Sequence, residues 1–344
     1  MRGLVKIDFH CPYAEVKRIF VLGAGVSVSS GYPPVKVLLK EVLEFGQRTG
    51  KDIGKIIEVI KVLFPNFNPK FGNFPNIEDF LGLLDTMQAM SLSSEQMRGK
   101  KWAPIKLRRR PLYFSEEISE IKEELLRLIS EYFFLNTRPV KPFLEFSKRL
   151  TRGDVIVTFN WDLLLERSLY ELNKSYWYFW RRSKDLQDVI PILKPHGSIN
   201  WVQREKIHSS VEGEEMGHRL LALREFSPPK GIVPYIIPPS PKKEFKTEEI
   251  EMVWNDVNEA FLRADKFYFL GYSLPRTDLQ ARYIFRMGLM YNKKNREKDG
   301  KPPYSAVVVN PDETVFLNYR NILGDNFTFL EMKFEDIDFE ELFQ

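Results

Sequence analysis

Cysteine is almost absent from this chain of 344 residues, in which Cys11 stands alone. A single cysteine excludes an internal disulfide, a multi-cysteine zinc site and an iron–sulfur cluster. We therefore assign no metal ligands and expect a protein without a bound metal. A chain that uses so little cysteine fits a reducing compartment, which predicts a cytoplasmic location.

A strong excess of one charge is also missing. Lys and Arg number 51 against 47 Asp and Glu, a net charge of +4, which is too small to indicate a nucleic-acid-binding protein. The sequence has no run of about 18 apolar residues, so no membrane span is expected. The first residues, MRGLVKIDFHCPY, lack the apolar stretch of a signal peptide. With 43% hydrophobic and 28% charged residues, the composition is that of a soluble globular protein of one or two domains.

Short apolar runs that alternate with helical patterns are the main fold signal. Such an alternation predicts an α/β fold, with a doubly wound, Rossmann-like parallel sheet. The predicted strands lie at 17–22, 154–159, 190–193, 266–270 and 305–309. Helices are predicted to follow Asp162 and at about 247–263 and 278–291.

Two stretches interrupt this pattern. Residues 37–150 carry helical periodicity, with helices predicted at about 37–43, 53–63, 77–87 and 118–134, and they indicate a large helical insertion. Residues 204–245 carry clustered prolines, which indicate a second, loop-rich insertion. The predicted core therefore comprises 1–36, 151–203 and 246–344.

Polar or glycine-containing segments follow five of the predicted strands. In open parallel sheets, ligands bind beyond the carboxyl ends of the strands, so these segments are candidates for one shared site. The first, GAGVSVSSG, is neither a full dinucleotide fingerprint nor a P-loop. The candidate residues are Gly23, Ala24, Gly25, Ser27, Ser30 and Gly31 in the first segment, Asn160 and Asp162 in TFNWD, His196 in HGS, Gly271 and Ser273 in GYS, and Asn310 and Asp312 in NPD.

Taken together, the five segments resemble the sirtuin family. GAGVSVSSGYP is similar to the family's signature, TFNWD to its threonine-glutamine-asparagine-isoleucine-aspartate segment, and KPHGS to the segment that carries its catalytic histidine. GYS resembles the glycine-threonine-serine segment, and VVNPD the segment whose asparagine holds a ribose. The segments keep the family's order and span residues 23–312. The resemblance implies a Rossmann-like fold that binds NAD, with Asn160, Asp162 and His196 in catalytic positions.

Two departures from the family pattern change the expected activity. Pro34, Val35 and Lys36 stand where deacylating sirtuins have aspartate, phenylalanine and arginine, and residues 201–270 contain none of the four zinc cysteines. The zinc module forms one wall of the acyl-lysine channel in that family. The forms KPHGSINW, IIPPS and GYSLPRTD instead resemble zinc-free sirtuin-like proteins of bacteria and archaea. Several of those proteins hydrolyse NAD in defence against phage.

The same residue types suit cleavage of NAD on chemical grounds. Glycines such as Gly25 allow the backbone to approach a pyrophosphate, and Asn310 and Asp312 suit ribose hydroxyls. Breaking the nicotinamide bond passes through an oxocarbenium-like ribose, which a nearby carboxylate or carbonyl dipole stabilises. Asn160 and Asp162 are two residues apart, and they project to one side if the strand continues. His196 is the expected base, because a histidine titrates near neutral pH.

Other functions and roles stay open at this point. Asp162 is also a candidate N-cap for the helix that follows it, Asn160 a candidate turn residue, and His196 a candidate cap of the turn at Gly197. The protein is expected to be an NAD hydrolase, a protein deacylase or ADP-ribosyltransferase, or a module that binds NAD or ADP-ribose without catalysis. A freely active hydrolase would drain the NAD of its cell. Control by the helical insertion, by self-association or by a regulatory protein partner is therefore expected.

Overall fold

A computed structural model describes residues 16–90, 105–106, 111–112, 115–136, 138–178, 189–204, 213–215, 219–223, 232–238 and 247–343. Within those ranges the strands are β1 (Arg18–Leu22), β2 (Ile105–Lys106), β3 (Pro111–Leu112), β4 (Asp154–Thr158), β5 (Ser175–Tyr178), β6 (Val189–Leu193), β7 (Gly197–Ser198), β8 (Trp201–Gln203), β9 (Gly213–Glu215), β10 (Leu220–Leu223), β11 (Tyr235–Ile236), β12 (Lys266–Leu270), β13 (Ser305–Val309) and β14 (Thr328–Leu330). The helices are α1 (Val35–Arg48), α2 (Gly54–Leu63), α3 (Ile77–Met90), α4 (Ser115–Asn136), α5 (Lys141–Lys148), α6 (Leu164–Glu171), α7 (Glu248–Arg263), α8 (Leu279–Lys298), α9 (Val315–Leu323) and α10 (Phe339–Leu342).

Seven parallel strands form the central sheet, in the order β14-β13-β12-β1-β4-β6-β5. β1 lies in the middle, where Phe20 is opposite Ile156 of β4 and Tyr268 of β12. Every residue of β4 and β6 is buried, as expected for strands covered by helices on both faces. The prediction of a Rossmann-like α/β fold with helical insertions is confirmed.

The strand order changes direction beside β1. From β1 the chain moves to β4, β5 and β6 on one side, where β6 lies between β4 and β5, and afterwards it returns to β12, β13 and β14 on the other. β1 and β12 are therefore neighbours at the switch point of the topology. In doubly wound sheets the crevice at this point, beyond the carboxyl ends of the strands, is where ligands bind.

The helices between β1 and β4 pack in two ways. α3 and α1 contact α4, and α4 is tied to the glycine-rich loop after β1 because Tyr32 Oη donates a hydrogen bond of 2.8 Å to the carbonyl of Phe133. α5 instead packs on the sheet, where Phe146 meets the ring of Phe20 at 5.3 Å. All these side chains belong to one continuous hydrophobic core. The division into a core and two insertions stays a prediction.

Several boundaries differ from the expectations. The helix after Asp162 begins at Leu164, and α8 runs on to Lys298, because the polar last turns of α8 carry little apolar periodicity. α5, α9, β5 and β14 were not predicted, since each is too short to show a clear period. Within 204–245, the described residues include β9 and β10, which form a small antiparallel sheet with β8. Among the described residues, no helix is long and apolar enough to cross a membrane.

Candidate functional site

A cavity of about 480 Å³ opens at the carboxyl ends of the central strands. Its volume falls in the range of about 300–1,000 Å³ that small-molecule sites occupy. The loops after β1, β4, β6, β12 and β13 contribute to its wall, so the polar strand ends meet at one place. The candidate residues in the wall are Ala24, Gly25, Ser27, Asn160, Asp162, His196, Gly271, Ser273 and Asn310.

Two larger cavities, of about 590 and 670 Å³, lie elsewhere on the surface. The first lies at the opposite end of the strands, where Arg18 and Arg149 are already held by ion pairs with Asp154 and Glu340. The second lies beside β5 and is lined by none of the candidate residues. We assign the site to the smaller cavity, because the groups suited to chemistry lie there.

The glycine-rich loop after β1 packs directly on the loop after β12. The N–H groups of Gly23 and Gly25 donate to the carbonyls of Leu270 and Gly271, at 3.1 and 3.0 Å. A Cβ atom at Gly23 would lie 2.4 Å from the Cα of Tyr272, and one at Gly25 would lie 2.8 Å from the carbonyl oxygen of Gly271. The two glycines are therefore required for contact between two protein loops, and their N–H groups are already used.

Asn160, Ser27 and Asp162 form a directed chain of hydrogen bonds. Asn160 Nδ2 donates to the carbonyl of Gly23 and to Ser27 Oγ, each at 3.0 Å, and Ser27 Oγ donates to Asp162 Oδ2 at 2.8 Å. Because Ser27 gives its only proton to Asp162, it must accept from Asn160, which fixes the orientation of the Asn160 amide. Both protons of that amide are used, so its carbonyl oxygen is the group that Asn160 has left to offer a ligand.

Asp162 is a buried residue of the cavity wall, and its two carboxyl oxygens have different partners. Oδ1 accepts the backbone N–H of Leu164 at 3.0 Å, in the first turn of α6, while Oδ2 accepts from Ser27. Burial raises the pKa of the Asp162 carboxyl above its ordinary value, against the opposing effects of the Lys194 ammonium and of these two hydrogen bonds. The carboxyl therefore orients the loop, including Ser27. Asp162 is not the N-cap considered from the sequence, because that position is Leu163; its carboxyl instead bonds to the N–H of Leu164, the first residue of α6.

A buried ion pair supports the same loop from below. Lys194 Nζ donates to the carbonyl of Asp162 at 2.7 Å and contacts Glu166 Oε1 at 2.9 Å, with side chains 0% and 1% exposed. Tyr178 donates to the same Glu166 oxygen at 3.1 Å. The pair joins the end of β6 to α6 and fixes the loop that carries the candidate residues after β4.

His196 follows β6 and is held by residues of the loop after β12. Its Nε2 atom lies 3.1 Å from Asp278 Oδ2, and Tyr272 Oη donates to that oxygen at 2.9 Å. Phe159 stacks on Tyr272 at 4.3 Å between centroids and meets the imidazole edge-on at 4.9 Å. Burial raises the pKa of Tyr272 well above its ordinary value, and the Asp278 carboxylate adds to this effect, so the phenol keeps its proton.

The remaining candidates lie at the margin of the cavity. Asn310 is in the wall, and its Oδ1 accepts the N–H of Asp312 at 3.0 Å, which leaves its amide N–H groups for a ligand hydroxyl. Asp312 lies outside the lining; hydrogen bonds from Thr314 lower the pKa of this carboxyl. Ser30 and Gly31 also lie outside the lining, and Gly31 ends the short turn with a left-handed φ of 85°.

Sequence reasoning missed several residues of the wall. Tyr272 and Asp278 belong to the motif GYSLPRTD, but the sequence predicted no role for either of them. Phe159 was predicted only to end a strand. Asn76 and Glu78 of the α3 N-terminal region and Phe133 of α4 also line the cavity. The run Ile77 to Phe80 predicted the helix, but no local signal showed that the helix faces the site.

Similar solved structures were found, although none is close. A complex of a Sir2 homologue with NAD is 14% identical, covers 94% of this chain and 87% of its own, and superposes with a TM-score of 0.43. A serine-to-alanine variant of a Sir2 homologue with ADP-ribose is 16% identical, covers 94% and 89%, and has a TM-score of 0.41. No family model matches the sequence, and the search of curated proteins found no similar sequence.

Proposed function

We propose that this protein hydrolyses NAD+ at the bond between nicotinamide and ribose and releases nicotinamide and ADP-ribose. The observation that carries the proposal is the meeting of Ser27, Asn160, His196 and Asn310 around one cavity at the switch point of the sheet. These groups come from the ends of four different strands. The resemblance of the motifs to those of sirtuins is independent support for NAD as the substrate.

The reaction needs little beyond charge stabilisation and one base. The bond from the anomeric carbon to the nicotinamide nitrogen breaks, and its electron pair neutralises the positive ring. The carbon becomes oxocarbenium-like and takes the oxygen of a water molecule. We assign to the Asn160 carbonyl dipole the stabilisation of this positive carbon or the orientation of the water. His196 accepts the proton that the water loses.

The rest of the proposed site binds the substrate. Asn310 offers donors for the hydroxyls of the adenosine ribose, and Asp312 supports Asn310 through its backbone N–H. Backbone N–H groups of the loop that carries Ala24, Ser27 and Ser30 are the candidates for the pyrophosphate, because the hydroxyl proton of Ser27 is already given to Asp162. No metal ion takes part in this scheme, because every step is assigned to a protein side chain or to water.

The test is to incubate the purified protein with NAD+ alone and to quantify nicotinamide and ADP-ribose by chromatography. His196→Ala is expected to lower turnover by ~10²–10⁴-fold, the usual contribution of a general base. Asn160→Ala is expected to lower it by at least ~10²-fold through misplacement of the water or ribose. NAD affinity, measured by calorimetry, should stay within a few fold in both variants. Asn295→Ala, an exposed position near the end of α8, is the matched control and should retain full activity.

The alternatives appear as distinct outcomes of the same experiment. Full turnover by His196→Ala contradicts the assigned chemistry. Binding of NAD without turnover, with the wild-type protein under every condition tried, favours a binding module. Nicotinamide release only after addition of an acylated peptide favours a deacylase.

The resemblance to antiphage proteins extends the proposal to defence. Cells that carry the wild-type gene are then expected to lose NAD on infection and to plate some phages poorly, whereas cells with the His196→Ala gene plate them normally. Equal plating of a broad phage panel on both strains would remove the defence role and leave the proposed chemistry in place.

A further inference from the structure

Asp278 lies in the cavity wall, in contact with the candidate base. Its Oδ2 atom is 3.1 Å from His196 Nε2, and the two side chains are 1% and 4% exposed. The same oxygen accepts the hydroxyl of Tyr272 at 2.9 Å. An ionised carboxylate can only accept hydrogen bonds, so a hydrogen bond between these two atoms requires the hydrogen on Nε2.

The loop that carries Asp278 is held by hydrogen bonds at several residues. Asp278 Oδ1 accepts the N–H of Ala281 at 3.4 Å and caps α8, and its own N–H donates to Pro275 at 3.1 Å. Leu274 adopts a left-handed φ of 50° although it is fully buried, and its carbonyl accepts from Arg282 at 3.0 Å. A buried residue in this conformation persists where its surroundings favour it, and the contacts of Leu274 and Asp278 together hold the two ends of this loop.

We propose that Asp278 is the positioning residue of His196. It holds the neutral imidazole in the tautomer with hydrogen on Nε2, which places the basic lone pair on Nδ1. When water bonds to the anomeric carbon, its proton passes to Nδ1, and the Asp278 carboxylate stabilises the imidazolium that forms. This inference rests on the proposed NAD hydrolysis for its kinetic consequence, but the tautomer of His196 can be measured without any turnover.

The competing role for Asp278 is purely structural, as the N-cap of α8. Serine caps helices about as well as aspartate, but its side chain is too short to reach His196. Asp278→Ser therefore keeps the cap and removes the contact. Asp338→Ser is the matched control, because Asp338 caps α10 through the N–H groups of Glu340 and Glu341, away from the cavity.

The first measurement is nitrogen-15 NMR of histidine-labelled protein at about pH 8. The chain has four histidines, so the signals of His196 are identified as those missing from His196→Ala. We expect the Nε2–H tautomer in the wild-type protein and in Asp338→Ser, and a mixture of tautomers in Asp278→Ser. An Nδ1–H tautomer in the wild-type protein overturns the proposal, even if the Asp278 variant does not fold.

The second measurement is kinetic. Asp278→Ser is expected to lower kcat by about 10²-fold with KM for NAD within a few fold, because a positioning residue acts through the base. The double variant with His196→Ala should be no slower than His196→Ala alone. If the decreases in kcat of the two single variants multiply in the double variant, Asp278 does not act through His196 and the proposal is contradicted. If the wild-type protein releases no nicotinamide, the proposed hydrolysis fails, while the tautomer still decides the role of Asp278.

Discussion

Removal of the Ser27 hydroxyl tests the hydrogen-bond chain that orients Asn160. Ser27 is 3% exposed, and Ser27→Ala leaves Asp162 Oδ2 without its 2.8 Å donor and Asn160 without one of its two acceptors. A lost hydrogen bond to a charged group costs ~1.5–3 kcal/mol and a neutral one ~1 kcal/mol, so the free energy of unfolding should fall by about 2–4 kcal/mol. Activity should fall by about 10–10²-fold, because Asn160 is less well oriented.

The expected change in melting temperature follows from the size of the chain. At ~2.1 cal/mol/K of unfolding entropy per residue, a chain of 344 residues shifts its Tm by about 1.4 °C for each kcal/mol. Ser27→Ala should therefore lower the Tm by about 3–6 °C in calorimetry near pH 8. Ser29→Ala is the matched control in the same turn, since the Ser29 hydroxyl donates over a longer distance of 3.5 Å, to the carbonyl of Val26.

The dependence of this loss on pH gives a second check. Burial raises the folded-state pKa of Asp162 above the ordinary 3.8, so the folded state binds this proton more tightly than the unfolded state. Ionised Asp162 therefore costs stability at neutral pH, and the Ser27 hydrogen bond offsets part of that cost only while the carboxyl is ionised. The difference in Tm between wild type and Ser27→Ala should shrink as the pH falls through the folded pKa. A difference that stays constant, or a Tm loss no larger than that of Ser29→Ala, refutes the described role of Ser27.

Three further predictions concern the stability of the fold and its metal content. Gly25→Ala should destabilise the protein by ~1–3 kcal/mol, because its Cβ would lie 2.8 Å from the carbonyl oxygen of Gly271. Gly82→Ala, in open space on α3, should stabilise the protein by up to ~1 kcal/mol, and denaturant unfolding measures the free energy of unfolding of both variants. Lys194→Met should cost ~3–5 kcal/mol by leaving the Glu166 carboxylate buried without its cation, and the double variant with Glu166→Leu should recover most of the loss in the same assay. With one cysteine in the chain, elemental analysis should find far less than one zinc per chain, and a stoichiometric amount would contradict the absence of a structural zinc site.

The sequence was most informative where the signal is local. The strand 17–22 was predicted one residue longer than β1, and β12 and β13 have the predicted bounds. Their short apolar runs end in glycine or polar residues, a pattern that a buried parallel strand requires. β5 and β14 were missed, because four and three residues are too few to show a period.

The segments that form the candidate site were predicted from the sequence as the residues that follow strands. The contacts between side chains of different segments were not predicted. In open parallel sheets, ligands bind beyond the carboxyl ends of the strands, and this rule predicted that Ser27, Asn160 and His196 lie together at that end of the sheet. The partner of His196 was missed, because Asp278 belongs to another strand end and no spacing in the sequence connects the two. The glycines of the first loop were interpreted as an approach to a pyrophosphate, whereas their N–H groups and missing Cβ atoms serve the contact with Gly271 and Tyr272.

The sequence by itself determined which residue types could perform chemistry and that they follow strands of a parallel sheet. Residue type and hydrophobic periodicity depend only on residues that are close together in the sequence, so they can be determined without the tertiary structure. Only the tertiary structure decided which oxygen receives which proton, from Ser27 to Asp162 and from Asn160 to Ser27, and which carboxyl lies beside His196, namely that of Asp278. Those choices depend on distances between strand ends far apart in the chain, and the packing of the sheet sets such distances.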